Sequence, residues 1–286
     1  MRKLGPLHWI ALAVAIVWAL LPIYWLLRMS LMTSAEISLF PPAIIPPAPQ
    51  PGAFFNLLGR PYTTSAGINL LASGQSGQIL RGLLNSIVVS VIVTGITIVV
   101  VVPLAYVFGR LEFRFKQLLL FSLLLAVAQP PVSTLIPFYA LYIHIGLAGT
   151  RTGLVIVVLT ITIPFVTWML IGYFRNLPPV EKLARIDGFS RGATFLRVMV
   201  PMARPGIAVA AVVAFLFSWN EYVYAQVLVG GSNAVTLPAA MSGFLFQLPN
   251  PPHLAAAMVL TLVPPFVIAF VLQRRLSDMN LVDPVR

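Results

Sequence analysis

Uncharged residues gather into runs at 9–27, 83–108, 118–143, 153–174, 205–229 and 254–272, and the stretches between them hold nearly all of the charge. A helix needs roughly 17 to 25 apolar residues to cross a bilayer, and each run reaches that length. The pattern predicts an all-α membrane protein with six transmembrane helices. Between the first two runs lies a long polar stretch, 29–82, with a Pro-rich patch at 40–51 and a Gly/Ser-rich patch at 65–82. It reads either as a linker, extended and then flexible, or as a cap anchored by Phe54, Phe55, Leu57 and Leu58.

The third run is interrupted by Gln129-Pro130-Pro131 and again by Pro137. A proline inside a helix removes a hydrogen bond and costs about 3 kcal/mol. Broken backbone at membrane depth is tolerated only within protein or along a watery cavity, so this span is expected to face the protein interior. Pro22, Pro103 and Pro164 read as single packing kinks, and no internal repeat is visible.

Composition agrees with the pattern: 59% of residues are hydrophobic and 9% charged, with mean hydropathy +0.95, against about 25% charged in an ordinary soluble domain. The net charge of +11 would suggest nucleic acid in a soluble protein. Here its distribution matters more, and nucleic acid is not an expected partner. With a cytoplasmic N-terminus, four of the 18 Lys and Arg fall outside (Arg28, Arg60, Arg81, Arg151) and the rest inside. Lys/Arg bias in short loops sets orientation, so both termini are expected in the cytoplasm. The first run is longer than a signal-peptide core and no small-x-small cleavage pattern follows it, so it reads as a span rather than a removed leader.

Cysteine is absent, which excludes disulfides and thiolate chemistry. His8, His144 and His253 are scattered without metal-ligand spacing, so no metal site is expected. No G-x-x-x-x-G-K-[ST] phosphate loop occurs, and no cofactor is expected in this chain.

The most informative segment is 181–205, EKLARIDGFSRGATFLRVMVPMARP, between the fourth and fifth runs. Leu177-Pro178-Pro179 ends the fourth span, because the residue before proline is pushed out of helical dihedrals. Residues 180–186 then read as a short helix stopped by Gly188, which enters the left-handed region at little steric cost. Ser190 is a suitable N-cap for a second helix to about Met199, closed by Pro201 and Pro205. Phe195, Met199 and Met202 fall on one face of it, apart from Arg191 and Arg197. Such a stripe suits a groove of another protein, or a surface of anionic membrane lipid.

The string itself resembles the cytoplasmic loop of binding-protein-dependent ABC transporter permeases, whose pattern is E-A-A-x-x-D-G-A, then an aromatic, then L-P and P. The matching positions are Lys182, Leu183, Ala184, Asp187, Gly188 and Phe189, followed by Phe195, Val198, Val200, Pro201 and Pro205. Lys182 stands where the family has Glu, Leu183 and Phe189 replace Ala, and Glu181 lies one position earlier. Asn85-Ser86, Leu104-Ala105-Tyr106 with Arg110, Leu135 to Tyr139, Gly146-Leu147, Pro164-Phe165, Trp168 and Leu177-Pro178 are similar to the carbohydrate-type branch, in particular the second membrane subunit of maltose-type importers.

The resemblance implies a type I importer permease fold in a bacterial cytoplasmic (inner) membrane. It implies a cytoplasmic N-terminus and first span at 1–28, an external loop at 29–82, a core at 83–274 containing the coupling loop 178–205, and a tail at 275–286. It also implies that Glu181, Lys182, Ala184, Asp187, Gly188, Phe195 and Pro201 belong to a coupling site inserted into an ATP-hydrolysing subunit. That partner would bind ATP and Mg. A second, homologous permease subunit forming a heterodimer, and an external solute-binding protein delivering a sugar or polyol, would complete the importer.

Glu221, in Ser218-Trp219-Asn220-Glu221-Tyr222, is the one acid within a run. An ionisable group in a membrane normally faces a cavity or a partner, and this W-N-E pattern also looks like the fifth core helix of sugar permeases. Gln129, Tyr139, Trp219, Asn220, Glu221 and Tyr222 are the candidate translocation-path residues. On a continuous helix Trp219 and Tyr222 share a face, and Glu221 lies nearer Ser218 and Ala225. For Glu221, substrate gate, helix–helix hydrogen bond and ion pairing with a partner subunit stay open; for Trp219, interface anchor and sugar platform. The alternative from another class is an ATP-independent secondary transporter or channel with Glu221 as ion or proton site. An enzyme would need clustered His, Asp or Ser near one interface, which the chain does not offer.

Overall fold

The computed structural model describes residues 5–64, 67 and 69–277. Arg2, Lys3 and Arg286, counted above for orientation, lie outside the described residues, as does the rest of the tail from 278. The first helices are α1 (Pro6–Ser30), α2 (Ser34–Ile37) and α3 (Gly52–Leu57), followed by a short hairpin of β1 (Tyr62–Thr63) and β2 (Asn69–Leu70), paired antiparallel. Then come α4 (Ser76–Arg110), α5 (Lys116–Ala128), α6 (Pro131–His144), α7 (Arg151–Asn176), α8 (Glu181–Ile186) and α9 (Arg191–Thr194). A π-helical turn, Phe195–Met199, leads into α10 (Val200–Met202), α11 (Arg204–Trp219), α12 (Val223–Leu228), α13 (Leu237–Met241), α14 (Gly243–Phe246) and α15 (Pro251–Ser277). Helices satisfy all but their terminal backbone groups within their own segment, which suits a lipid surround.

Four helices are long and apolar enough to span alone: those over Leu7–Ser30, Ser76–Arg110, Arg151–Asn176 and Pro251–Val271. Two bent pairs bring the total to six among the described residues: α5 with α6, bent by 90°, and the segment Arg191–Met202 with α11, bent by 75°. The 35 residues of α4 make a helix about 52 Å long, well beyond the roughly 30 Å hydrocarbon layer. Its ends, near Arg81 and Arg110, therefore project into the polar zones.

The structure changes three sequence expectations. The third run is not one interrupted span: Gln129 is extended (φ −71°, ψ 125°) before Pro130, so the chain turns and α6 starts afresh at Pro131. Pro137 does not break it further and sits inside α6. Most side chains of α5 and α6 are exposed rather than turned to the interior of the chain, while the break itself, at Gln129 and Pro131, lies along a cavity. The fifth run, expected as a continuous helix to 229, ends at Trp219 and resumes at Val223.

The third change concerns 29–82, which is folded and shorter than expected because α4 begins at Ser76. The Pro-rich patch is pinned rather than free: Tyr24 donates its hydroxyl to the Ile44 carbonyl at 2.6 Å, and buried Arg28 donates Nε–H to the Ala43 carbonyl. Of the proposed anchoring cluster Leu57 is fully buried, while Phe55 stacks on Tyr62 with centroids 5.6 Å apart. Gly82 is no flexible linker residue. A Cβ there would come within 3.1 Å of the Thr236 and Leu237 backbone, so the absent side chain lets α4 approach that strand of chain. The neighbouring Asn85 donates Nδ2–H to the carbonyls of Asn233 (2.9 Å) and Val235 (2.7 Å), and Ser86 Oγ accepts from the Leu237 N–H at 2.9 Å.

By internal contacts the chain divides into two units, Met1–Arg81 with Ala239–Pro264, and Gly82–Pro238 with Pro265–Arg286. The core of the second is built from Val101, Ala105 and Phe108 of α4, Val166, Leu170 and Phe174 of α7, Met199, and Ala210 and Ala214 of α11. Alanines four residues apart let helices pack closely. Thr97 and Thr162 share a buried hydroxyl hydrogen bond of 3.0 Å within it, so neither is left unpaired in apolar surroundings.

Candidate functional site: a helical loop and a cavity

The loop after α7 is shaped by its prolines and glycine. Leu177 is extended (φ −70°, ψ 147°), α7 stops before it, and α8 begins at Glu181. Asp187 caps α8, and Gly188 follows at φ 85°, the left-handed conformation expected of a stop. Ser190 Oγ accepts from the Ala193 N–H at 3.3 Å and starts α9. Helical structure then runs through Pro201, contrary to the expected stop, and turns only at Ala203, with Pro205 in the first turn of α11. Pro201 has no N–H to give to the Arg197 carbonyl. The preceding turn widens instead, and the Val200 N–H bonds to the Phe195 carbonyl, five residues back.

This geometry corrects the reading of the Phe195, Met199 and Met202 stripe. Met199 is fully buried and Phe195 packs on Tyr106 with ring centroids 4.9 Å apart, so the stripe faces the core of its own chain and not a partner. The outward apolar residues are on α8: Leu183 is 62% exposed and Ile186 81%. Three residues apart, they share a face. Lys182, Arg185 and Asp187 are also exposed, while Ala184 is buried beneath them. The sequence reading named Leu183 only as a departure and missed Ile186; the i, i+3 spacing was the available signal.

Glu181 turns the other way. Its two oxygens receive Arg110 Nε–H (2.6 Å) and Nη2–H (2.7 Å), a bidentate ion pair in which both side chains are mostly covered. The Arg110 hydrogen bonds hold the Glu181 carboxyl below its usual value of 4.5 against the opposing effect of burial, so the pair is charged at neutral pH.

A second feature is a cavity of about 500 Å³ bounded by α5, α6, α7, α11 and α12. Gln129, Thr134, Phe138, Phe165, Phe217 and Tyr224 line it. The Thr134 and Tyr224 hydroxyls lie 2.5 Å apart, and Phe165 and Phe217 meet at 4.8 Å between centroids. Of the six candidate path residues only Gln129 is on this wall. Trp219 is 1% exposed and stacked on Phe215 at 5.7 Å, which makes it core, neither interface anchor nor sugar platform. Tyr139 and Tyr222 are exposed and do not line the cavity. Asn220 donates Nδ2–H to the Leu216 carbonyl at 2.9 Å and finishes α11.

Glu221 Oε1 accepts from the Tyr224 N–H at 2.7 Å, closing the first turn of α12. It thereby orients the helix that carries Tyr224, a cavity residue the sequence reading passed over. The expected shared face of Trp219 and Tyr222 does not exist, because the helix is broken between them. Among the described residues no group of three or more His, Cys, Asp or Glu could hold a metal ion.

Comparison with known proteins bears on both features. A family described as binding-protein-dependent transport system inner membrane component matches residues 101–278, most of the chain and all of the loop and cavity. This chain belongs to that family. The permease is 31% identical over 275 residues to the trehalose transport system permease protein SugB of Mycobacterium tuberculosis, covering 94% of the permease and 93% of that relative. It is 30% identical over 273 residues to the sulfoquinovosyl glycerol transport system permease protein SmoH of Agrobacterium fabrum, covering 94% and 90%. Its fold matches a crystal structure of a bacterial ABC transporter involved in import of the acidic polysaccharide alginate, with TM-score 0.74 over 94% of both chains and 19% identity. The permease is thus a multi-pass inner-membrane subunit of an ABC importer, a transport component and not an enzyme. Membership implies ATP-hydrolysing and external binding-protein partners, and it displaces the secondary-transporter and channel alternative.

Proposed function

We propose that the permease imports a sugar or related polyol, handed over by an external binding protein, by alternating access driven from a separate ATPase that holds ATP and Mg. The observation that carries the coupling half of this reading is the outward Leu183 and Ile186 pair on α8, flanked by Lys182 and Arg185. A short helix with an exposed apolar face and a rigid attachment to two spans suits insertion into a cleft of the ATPase. Asp187 and Gly188 end that helix, Ala184 sits under it, Phe195 packs the following segment on the core, and Pro201 sits just past its widened turn.

Sugar as cargo is supported by the cavity, where an amide, hydroxyls and aromatic faces match the hydroxyls and C–H faces of a pyranose. The names of the relatives, one for trehalose and one for sulfoquinovosyl glycerol, point the same way. Gln129, Thr134 and Tyr224 are assigned to the path, with Glu221 as the residue that positions Tyr224. A second, homologous permease is proposed to cover the exposed apolar sides of α5 and α6, and a heterodimer is the expected arrangement.

Purifying the permease from its host in detergent through a tag tests this reading. Recovery of an ATPase, a second permease and binding-protein-stimulated hydrolysis is expected, with sugar uptake in proteoliposomes that stops when ATP is omitted. Uptake that continues without the ATPase would rule the reading out.

A further inference from the structure

Arg110, the last residue of α4, makes contacts that go beyond an ion pair. A guanidinium carries five N–H donors in a rigid fork. Here Nε and one Nη2 hydrogen hold the Glu181 carboxylate, the other Nη2 hydrogen reaches the Pro178 carbonyl at 3.0 Å, and Nη1 serves the Leu177 carbonyl at 2.9 Å and the Phe174 carbonyl at 3.5 Å. Every donor is engaged.

The acceptors explain why the fork is needed. The last carbonyls of a helix have no partners within it and are usually met by N–H groups of the residues that follow. After α7 the Leu177 N–H reaches the Phe174 carbonyl at 3.3 Å and the Val180 N–H reaches the Pro178 carbonyl at 2.9 Å, but Pro178 and Pro179 between them have no N–H to give. Arg110 adds donors from another helix to the Phe174, Leu177 and Pro178 carbonyls. One side chain therefore joins the end of α4, the end of α7 and the start of α8. Gly109, next to it, leaves room for this approach: a Cβ there would lie 3.0 Å from Phe174 Cβ.

We propose that Arg110 is a positioning residue for energy coupling, the joint that makes the adjoining ends of α4, α7 and α8 a single rigid body. Resting on the assignment of α8 as the ATPase-docking helix, this specifies how displacement of that helix reaches the spans. Glu181 acts inside the joint and not on the partner's surface, which leaves the exposed α8 face to Leu183, Ile186 and their flanking cations. Without the fork, α8 would pivot on the Pro178-Pro179 linkage and its movement would be absorbed there. Lysine cannot replace arginine, because a single ammonium cannot span a carboxylate and three carbonyls.

The test uses the complete importer carrying Arg110→Lys, which keeps the charge. Expected are wild-type amounts of co-purified ATPase and near-normal hydrolysis. Sugar transported per ATP should fall roughly tenfold, the scale of losing one charge-assisted hydrogen bond. Because the chain has no cysteine, spin labels at Leu111→Cys and at Phe189→Cys, a position tied to α8 by its N–H on the Ala184 carbonyl and outside the docking face, report the joint. Their separation should be narrow and identical with and without ATP in the otherwise native importer, and broad in Arg110→Lys. Normal transport per ATP in Arg110→Lys, or a label distance that changes with nucleotide in the native background, would overturn the joint. Should the lysine variant fail to insert, Glu181→Gln keeps the side-chain shape and removes one side of the ion pair. It is expected to uncouple transport in the same sense, and unimpaired coupling there also overturns the proposal. A native complex that carries no ATPase would sink the docking assignment instead, an outcome read before either variant is made.

Discussion

At Gly188 the backbone takes φ 85° and its N–H donates to the Arg185 carbonyl at 3.1 Å, closing α8 before the chain turns into α9. No atom lies within 4 Å of where a Cβ would stand, so a side chain there would meet backbone strain and no clash. Left-handed backbone costs an ordinary residue about 1–2 kcal/mol. Gly188→Ala is expected to insert, bind the ATPase and transport at a reduced rate. Gly188→Pro demands a φ near −65° and loses the donor, so it should abolish uptake while membrane accumulation persists. Uptake assays alongside immunoblots of the membrane fraction check both; wild-type uptake by the proline variant would remove the turn from the mechanism. Gly188, Ser190 and Leu177 were legible in the sequence because their effects are local, acting through φ, a side-chain cap or a following proline. Arg110 was not, since its partners are some 64 to 71 positions away and no local pattern announces them.

Among the elements, α8 carries the sharpest expectation. Its six residues, Glu181–Ile186, have one side on the chain and one side free. Replacing Leu183 and Ile186 together by Asp removes the apolar face without touching Ala184 or the Arg110 pair. Co-purified ATPase should drop to background while the permease stays folded, and a stoichiometric ATPase after that change would place docking elsewhere. The spans themselves were readable as six apolar runs because length and hydropathy suffice for that. Their breaks were not equally readable. Gln129-Pro130-Pro131 announces a turn through chemistry, whereas the break at Asn220 to Tyr222 contains no Gly or Pro and depends on Glu221 capping α12 through the Tyr224 N–H. An acid in an apolar run left gate, helix–helix hydrogen bond and partner ion pair open, and its hydrogen bond at a helix start shows it closing the first turn of α12. For the same reason Tyr224 went unnoticed until the helix carrying it was in view. The stripe of Phe195, Met199 and Met202 misled differently: periodicity identifies an apolar face but not whether the chain's own core or a partner covers it.

On the scale of the whole molecule, four long apolar helices and two bent pairs supply the spans among the described residues, and the loop between α7 and α11 is the segment proposed to meet the ATPase. The folded stretch between α1 and α4 follows the same economy, with Tyr24 and Arg28 holding the Pro-rich chain that composition alone marks as free. The widened turn at Phe195–Met199 has a consequence of a different kind. It stores one residue more than an α-helix would use over the same rise, so it sets the rotational phase between the loop and α11. Each residue of an α-helix advances the chain by about 100°. Deleting Val198 removes that stored residue and lets the turn close to regular winding with the segments on either side kept in phase, whereas inserting an alanine after Val198 adds a step of about 100° and carries α8 away from both Arg110 and the docking direction. A one-residue insertion there should therefore abolish uptake, and the deletion should be better tolerated, a comparison that uptake assays on the two variants would read directly. Chain length at this point is itself a coupling parameter, and it can be altered without changing the chemistry of any side chain that touches a partner.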